Sequence, residues 1–177
     1  MHSKSELDPS HLVDFMRAND IPGEILHLEV PTPTVEAAAF AVGTAPENIV
    51  KSLLFLVGDG SVLAITCGPA HIERRAIAAH FQVGRKKLKL ADPQTVLMET
   101  GYQVGAMPPF GHFSRLPTLI DQRVLEKDQV YAGGGSAQTL LRIAPETILA
   151  VTQAQILDLL VPPKHKIDTQ GASKDAC

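Results

Sequence analysis

The segment Ile49-Val50-Lys51-Ser52-Leu53-Leu54-Phe55-Leu56-Val57 constrains this chain more than any other. It is dense in β-branched and large apolar residues and runs into Gly58-Asp59-Gly60, a turn signal. Such a run reads as a buried strand entering a hairpin, with Val62 to Cys67 as the returning strand. Side chains alternate along a strand, so Lys51 shares a face with Ile49, Leu53, Phe55 and Val57. An ammonium among apolar neighbours loses hydration and needs a partner, or its pKa falls. Two readings stand side by side: a functional lysine, or a strand-end lysine whose stem lets the charge snorkel to water.

At 177 residues, 45% hydrophobic and 20% charged, the chain is long enough for one domain with a real core. The expected unit spans 1–161, followed by a polar, aperiodic and flexible tail at 162–177. The first residues lack the apolar stretch of a signal peptide, and no uncharged apolar run is long enough to span a bilayer. The expectation is a soluble cytoplasmic protein with no membrane partner. Cys67 and Cys177 do not make a disulfide framework, and Cys67 reads as a small buried hydrophobe. Cys67 and His71 are four apart but have no second pair of ligands nearby, so no metal site is expected, and no cofactor. A serine hydrolase has little support, since no G-x-S-x-G is present and Ser52 sits in a strand.

The net charge of -3 hides an asymmetry. Arg74, Arg75, Arg85, Lys86, Lys87 and Lys89 fall in a stretch without any acidic residue, leaving 10 basic against 19 acidic residues elsewhere. A basic stripe on an otherwise acidic protein suits a phosphate-backbone partner. It equally suits a solvated helix face followed by an edge strand blunted with lysines.

Elsewhere the elements are short and mixed, without a fixed repeat. Asp8-Pro9-Ser10 reads as a helix start, with Leu12, Phe15 and Met16 on one side of the helix. Residues 25–30 alternate as a strand. An Ala-rich helix over 35–42 closes at Gly43. A longer helix is predicted over 69–81. Asp92-Pro93 caps a helix that stops at Gly101. Strands follow at 116–121, 129–132 and 140–143, then a helix over 145–160. Between elements, residues 100–112 hold three glycines and two prolines in thirteen positions. Glycine permits close approach to a backbone and proline fixes the loop, so neighbouring N–H groups are aimed. Gly133-Gly134-Gly135-Ser136 joins two strands. Neither loop matches a P-loop or a dinucleotide fingerprint.

Four motifs in register carry a resemblance. Lys51-Ser52-Leu53-Leu54, then Thr100-Gly101-Tyr102 with Gly105-x-x-x-Pro109, then Leu116-Pro117-Thr118-Leu119-Ile120-Asp121, then Gly133-Gly134-Gly135 are similar to the YbaK/prolyl-tRNA synthetase editing-domain family. The similarity covers roughly residues 12–160. It implies an α+β (mixed α/β) fold: a curved mixed sheet, partly barrel-like, with helices packed outside. It also implies a free-standing aminoacyl-tRNA deacylase that hydrolyses the ester of a small mischarged amino acid, Cys, Ala or similar, on tRNA(Pro). The implied partners are the tRNA acceptor end and prolyl-tRNA synthetase; no DNA is implied.

The family's essential lysine falls on Lys51 and its glycine-x-x-x-proline loop begins at Gly105, so these two are the catalytic candidates. Gly101, Tyr102, Met107, Pro108, Pro109, His112, Gly133 and Gly134 are the substrate-binding candidates. Arg74, Arg75, Arg85, Lys86, Lys87 and Lys89 become candidates for tRNA contact. Ester hydrolysis needs a stabilised oxyanion and a positioned water, which backbone N–H groups held by Gly and Pro can supply. Lys51 can hold the terminal phosphate or polarise the ester, and the substrate's 2′-hydroxyl can assist in place of a protein base. His112 can orient a water or the ribose, or be a surface histidine; His27 and Asp121 are weaker, Asp121 reading as a strand-end cap. The expected pocket wall is Met107, Pro108 and Phe110 beside Leu53 or Phe55. Gly133 stands where the resemblance places a serine, and the aspartate expected a few residues on is absent, which leaves cysteine and alanine equally open as the cleared residue. The alternative from another class is a non-catalytic module of the same fold that binds aminoacyl-tRNA or a free amino acid.

Overall fold

The computed structural model describes residues 5–160. The expected tail at 162–177, with Cys177, lies outside them. The chain begins with α1 (Pro9–Ala18), whose Asp8 cap accepts the Ser10 amide at 2.8 Å and whose first position is the proline that φ favours there. Leu12 and Met16 face the core. β1 (Glu24–His27) follows, then α2 (Val35–Val42), capped by Thr34 and ended by Gly43 at φ 68°. The strand expected over 25–30 stops at His27, although Leu28 still donates to Gln138 O at 2.8 Å.

β2 (Val50–Val57) and β3 (Gly60–Cys67) form the predicted hairpin, with Lys51 opposite Thr66 and Ser52 opposite Ile65. α3 (Arg74–His80) is shorter than the helix predicted over 69–81. Its leading residues are claimed by extended pairing: Ile72 bridges Leu160, and the Glu73 amide donates to Leu159 O at 2.6 Å. β4 (Leu88–Leu90) lies at a sheet edge beside β2, and α4 (Pro93–Thr100) runs between its Asp92 cap and Gly101 at φ 86°. After the loop come β5 (Thr118–Asp121), β6 (Val130–Gly133), β7 (Thr139–Ile143), α5 (Pro145–Thr152) and β8 (Gln155–Leu157). The helix predicted over 145–160 thus ends eight residues early; Gln153 turns left-handed at φ 52° and the chain adds to β5 as a parallel strand. Buried Asp121 helps hold it there, accepting the Leu159 amide at 2.7 Å and the Arg123 amide at 2.9 Å, which bears out the cap reading.

The strands make two sheets, β1-β7-β6 and β4-β2-β3-β5-β8, linked by a bridge between Ile49 and Tyr131. The expected mixed α+β class is found. The hairpin is the hinge of the packing because both its faces are covered. Val50, Leu54, Leu63 and Ile65 pack toward β6, β7, α1 and the 100–112 loop, in one core with Tyr102, Met107, Val130 and Leu141. Phe55, Val62 and Ala64 turn the other way onto Ile77 and Ala78 of α3. Ala38 and Ala39 of α2 close a third cluster on Ile49 and Leu140. No helix among the described residues is long and apolar enough to cross a membrane.

Candidate active site

Where β2, the 100–112 loop and the end of β6 meet, they enclose a hollow of about 220 Å³. Lys51 and Ser52 line it from β2, Gly105 and Met107 from the loop, and Gly133 from β6, with Thr34 and Val35 at the start of α2. The alternation read from the sequence holds for Leu53, Phe55 and Val57, which belong to the cluster on α3, against Val50 and Leu54 in the other core, whereas Ile49 packs on α2. Half-buried Lys51 donates from Nζ to Ala70 O at 3.0 Å and forms no ion pair among the described residues. Burial pulls its pKa below the ordinary lysine range, opposed by the charges of Cys67 and Glu36.

The loop is tied down at Ala106, while Gln103 to Gly105 are exposed. Ala106, Met107 and Phe110 are buried, Ala106 N donates to Gln103 O at 3.1 Å, and Ala106 O accepts the Gly135 amide at 2.9 Å. Among the described residues no acceptor pairs with the amides of Gly105 or Met107. Both residues line the hollow, and backbone N–H groups in such a place can serve as the donors of an oxyanion site.

Ser52, which the sequence places in a strand without a G-x-S-x-G motif, is not among the expected site residues. It lines the hollow, and its buried hydroxyl has no partner among the described residues. The available signal was alternation, which puts it on the face opposite Lys51. The exposed side chains of Leu90 and Val104 stand at the rim, 46% and 56% accessible.

The remaining candidates divide. Gly101 ends α4 and lines no hollow described here. Pro108 and Gly134 are buried and line neither this hollow nor its neighbour. Pro109, Phe110 and His112 line a second hollow, about 410 Å³, with Phe15 and Val151. The expected wall is therefore corrected: Met107 and Leu53 line the Lys51 hollow, whereas Phe110 faces the other one. Tyr102 is fully buried, with its hydroxyl unpartnered among the described residues and its pKa pushed up to about 12 by burial and, less, by Asp8. His112 lies edge-on to that ring at 6.1 Å, and its Nε2 is 2.8 Å from Pro108 O. A carbonyl only accepts, so Nε2 carries the proton. Burial lowers the imidazole pKa to about 4, outweighing the bond to Pro108. His27 is exposed at the end of β1.

Arg74 and Arg75 project from α3, Arg85, Lys86 and Lys87 form a 3-10 turn, and Lys89 lies on β4; all six are exposed and unpaired among the described residues. Arg74, Arg75 and Arg85 share a hollow of about 370 Å³ with Glu73, whose carboxylate already accepts the Arg75 amide at 3.0 Å. The edge strand continues from Lys89 into Leu90, at the rim of the Lys51 hollow. Among the described residues no group of three or more His, Cys, Asp or Glu could hold a metal ion. Cys67 is a buried free thiol, its pKa raised chiefly by burial.

The family model for the aminoacyl-tRNA editing domain matches residues 29–151, a span that holds the whole hollow. This chain belongs to that family. A solved structure described as a candidate trans-editing enzyme for prolyl tRNA synthetase superposes with a TM-score of 0.80 at 31% identity, covering 87% of this chain and 97% of that one. The Enterococcus faecalis protein EbsC, described as a candidate Cys-tRNA(Pro)/Cys-tRNA(Cys) deacylase, is 25% identical over 128 residues, 71% of this chain and 76% of EbsC. The proline–tRNA ligase of Thermotoga neapolitana is 36% identical over 86 residues, 47% of this chain and 15% of the ligase. The editing domain here thus has relatives both as separate proteins and as a part of a synthetase.

Proposed function

We propose that this editing domain is a trans-acting hydrolase that cleaves the ester between a small mischarged amino acid and the terminal ribose of tRNA(Pro). The observation that carries the reading is the convergence, on one hollow of about 220 Å³, of Lys51 with the unpartnered Gly105 and Met107 amides. Water attacks the ester carbon, the carbonyl oxygen gains negative charge, and the ribose oxygen leaves with a proton. The loop amides stabilise the oxyanion without reorganising. The Lys51 ammonium, half desolvated, holds the terminal phosphate or the ester oxygen. The substrate's 2′-hydroxyl, rather than a protein carboxylate or imidazole, assists the proton transfer. The exposed basic edge at 85–89 receives the acceptor backbone and leads it to the rim at Leu90.

The synthetase relatives and the substrates in EbsC's description support tRNA(Pro) as carrier and prolyl-tRNA synthetase as the enzyme whose errors are cleared. Alanyl and cysteinyl groups both suit the small hollow. The test is a panel of mischarged tRNAs scored for ester loss above the buffer rate. Hydrolysis of alanyl- or cysteinyl-tRNA(Pro), with prolyl-tRNA(Pro) spared, is the expected outcome. Tight binding of the same tRNAs with no ester loss would instead identify a non-catalytic aminoacyl-tRNA binding module.

A further inference from the structure

The turn between β6 and β7 meets the cavity loop through backbone alone. Gly135 N donates to Ala106 O at 2.9 Å, and Gly134 N donates to Thr139 O at 3.1 Å, so the turn is fixed to β7 on one side and to the loop on the other. Gly133, the last residue of β6, faces the Ala106-Met107 peptide. A Cβ built there would overlap the Met107 carbonyl oxygen and would lie 2.8 Å from the Ala106 oxygen, inside the 3.0 Å that real Cβ contacts essentially never cross. These are main-chain atoms, which cannot rotate aside as a side chain could. The φ at Gly133 is not left-handed, so what the position requires is space. Met107 and Gly133 both line the Lys51 hollow, and the loop that rests on Gly133 also carries the Gly105 and Met107 amides.

We propose that Gly133 sets the aminoacyl specificity of this cavity: by lacking a side chain it lets the Ala106-Met107 backbone settle onto β6, which holds the hollow small. The proposal rests on the deacylase reading above. A single methyl at Gly133 pushes the loop outward, widening the hollow and displacing the amides together. The expected signature therefore has two parts, a slower reaction on the smallest ester and a relative gain on bulkier ones. Truncating Met107 would widen the hollow without moving the backbone, and so cannot reproduce the first part.

The experiment compares the full-length wild type with Gly133→Ala on alanyl- and valyl-tRNA carried by the same tRNA. In the variant, kcat/KM on the alanyl ester should fall by about tenfold or more, the scale of a sub-ångström to ångström displacement of catalytic groups. The valyl-to-alanyl ratio should rise by roughly fivefold or more, in the range one side-chain size step commands. A folded variant whose ratio rises less than this overturns the proposal, whatever its absolute rate. Should Gly133→Ala not fold, amide exchange of Gly135 in the wild type decides. Slowing by about a hundredfold over a free peptide supports a seated loop, and exchange at the free-peptide rate overturns it. A wild type inert on every ester overturns the deacylase reading, and the specificity role with it; an active wild type with an unmoved ratio overturns the role of Gly133 alone.

Discussion

The loop that carries Gly105 and His112 has a hollow on each side, and the two are built differently. The one at His112 is the larger, about 410 Å³ against 220 Å³, and is walled by Phe15, Pro109 and Phe110, with the two phenyl rings stacked at 5.9 Å. Its imidazole is partly buried, uncharged near neutral pH and already bonded to Pro108. The smaller hollow is lined by half-buried Lys51, by Gly105 and Met107, whose amides have no acceptor among the described residues, and by Ser52, whose hydroxyl has no partner among them. Volume alone would choose the first. The proposed deacylase reading takes the second, because polar groups from three separate elements line it and catalysis depends on donors positioned before substrate arrives.

The sharpest way to break this comparison is to remove the charge from the smaller hollow. Lys51→Ala should lower deacylation by about a hundredfold, the scale of one lost charged transition-state contact. Stability should change little. The variant loses one hydrogen bond, to Ala70 O, with a net contribution of about 1 kcal/mol, and it also loses a half-desolvated ammonium that opposes folding. Full activity in a folded Lys51→Ala protein would move the chemistry out of this hollow.

A second test asks whether the basic edge serves that hollow. Binding of tRNA should weaken steeply with salt, with a log–log slope of roughly 0.7 to 0.9 per phosphate contact. Reversing Lys86 and Lys87 to Glu should flatten the slope and, at moderate salt, weaken binding by about tenfold, as two lost phosphate contacts imply. An unchanged slope would make the edge a solvated one, with lysines that merely protect β4 from pairing.

The hairpin, the helix caps and the glycine loops were legible because they are written in local chemistry: Asp92-Pro93 and Gly101 bound α4 as expected, and alternation put Leu53, Phe55 and Val57 on one face. The errors have non-local causes. Nothing near residue 153 announces that the chain will leave a helix to pair beside β5, since the partner that holds it, Asp121, is more than thirty residues away. The start of α3 differs from the expected helix for the same reason, with Ile72 and Glu73 engaged by residues 159 and 160. Within the site, residue types were readable but their grouping was not. Met107 and Phe110 are three apart in one loop yet face different hollows, and the seat of the loop on Gly133 depends on a contact between turns twenty-six residues apart.

Met107 tests the wall of the smaller hollow without disturbing its backbone. Its unbranched side chain can move aside, so Met107→Ala should extend activity toward larger aminoacyl groups while alanyl hydrolysis stays within about tenfold of wild type. A preference that does not move would place the selecting wall elsewhere on the cavity.

The smallest expected effect on rate belongs to His112, whose consequence is for stability. Its folded pKa, about 4, lies below the 6.5 of an unperturbed imidazole because burial disfavours the charged ring. Between these values the unfolded chain binds the extra proton and the folded chain does not. Stability from this group is therefore full above pH 6.5, falls as the pH drops from 6.5 toward 4, and changes no further below that. The loss is at most about 3 kcal/mol, since each pKa unit corresponds to 1.36 kcal/mol. His112→Gln keeps a donor for Pro108 O but cannot titrate, so its melting temperature should decline less than that of the wild type across this window. Parallel declines would show that the ring is not held neutral by burial. In deacylation, wild type and variant should share the same pH profile between 6 and 8, where His112 is already uncharged. A kinetic ionisation near 6 to 7 that vanishes in His112→Gln would transfer the acid–base work to the larger hollow and reverse the assignment of the two.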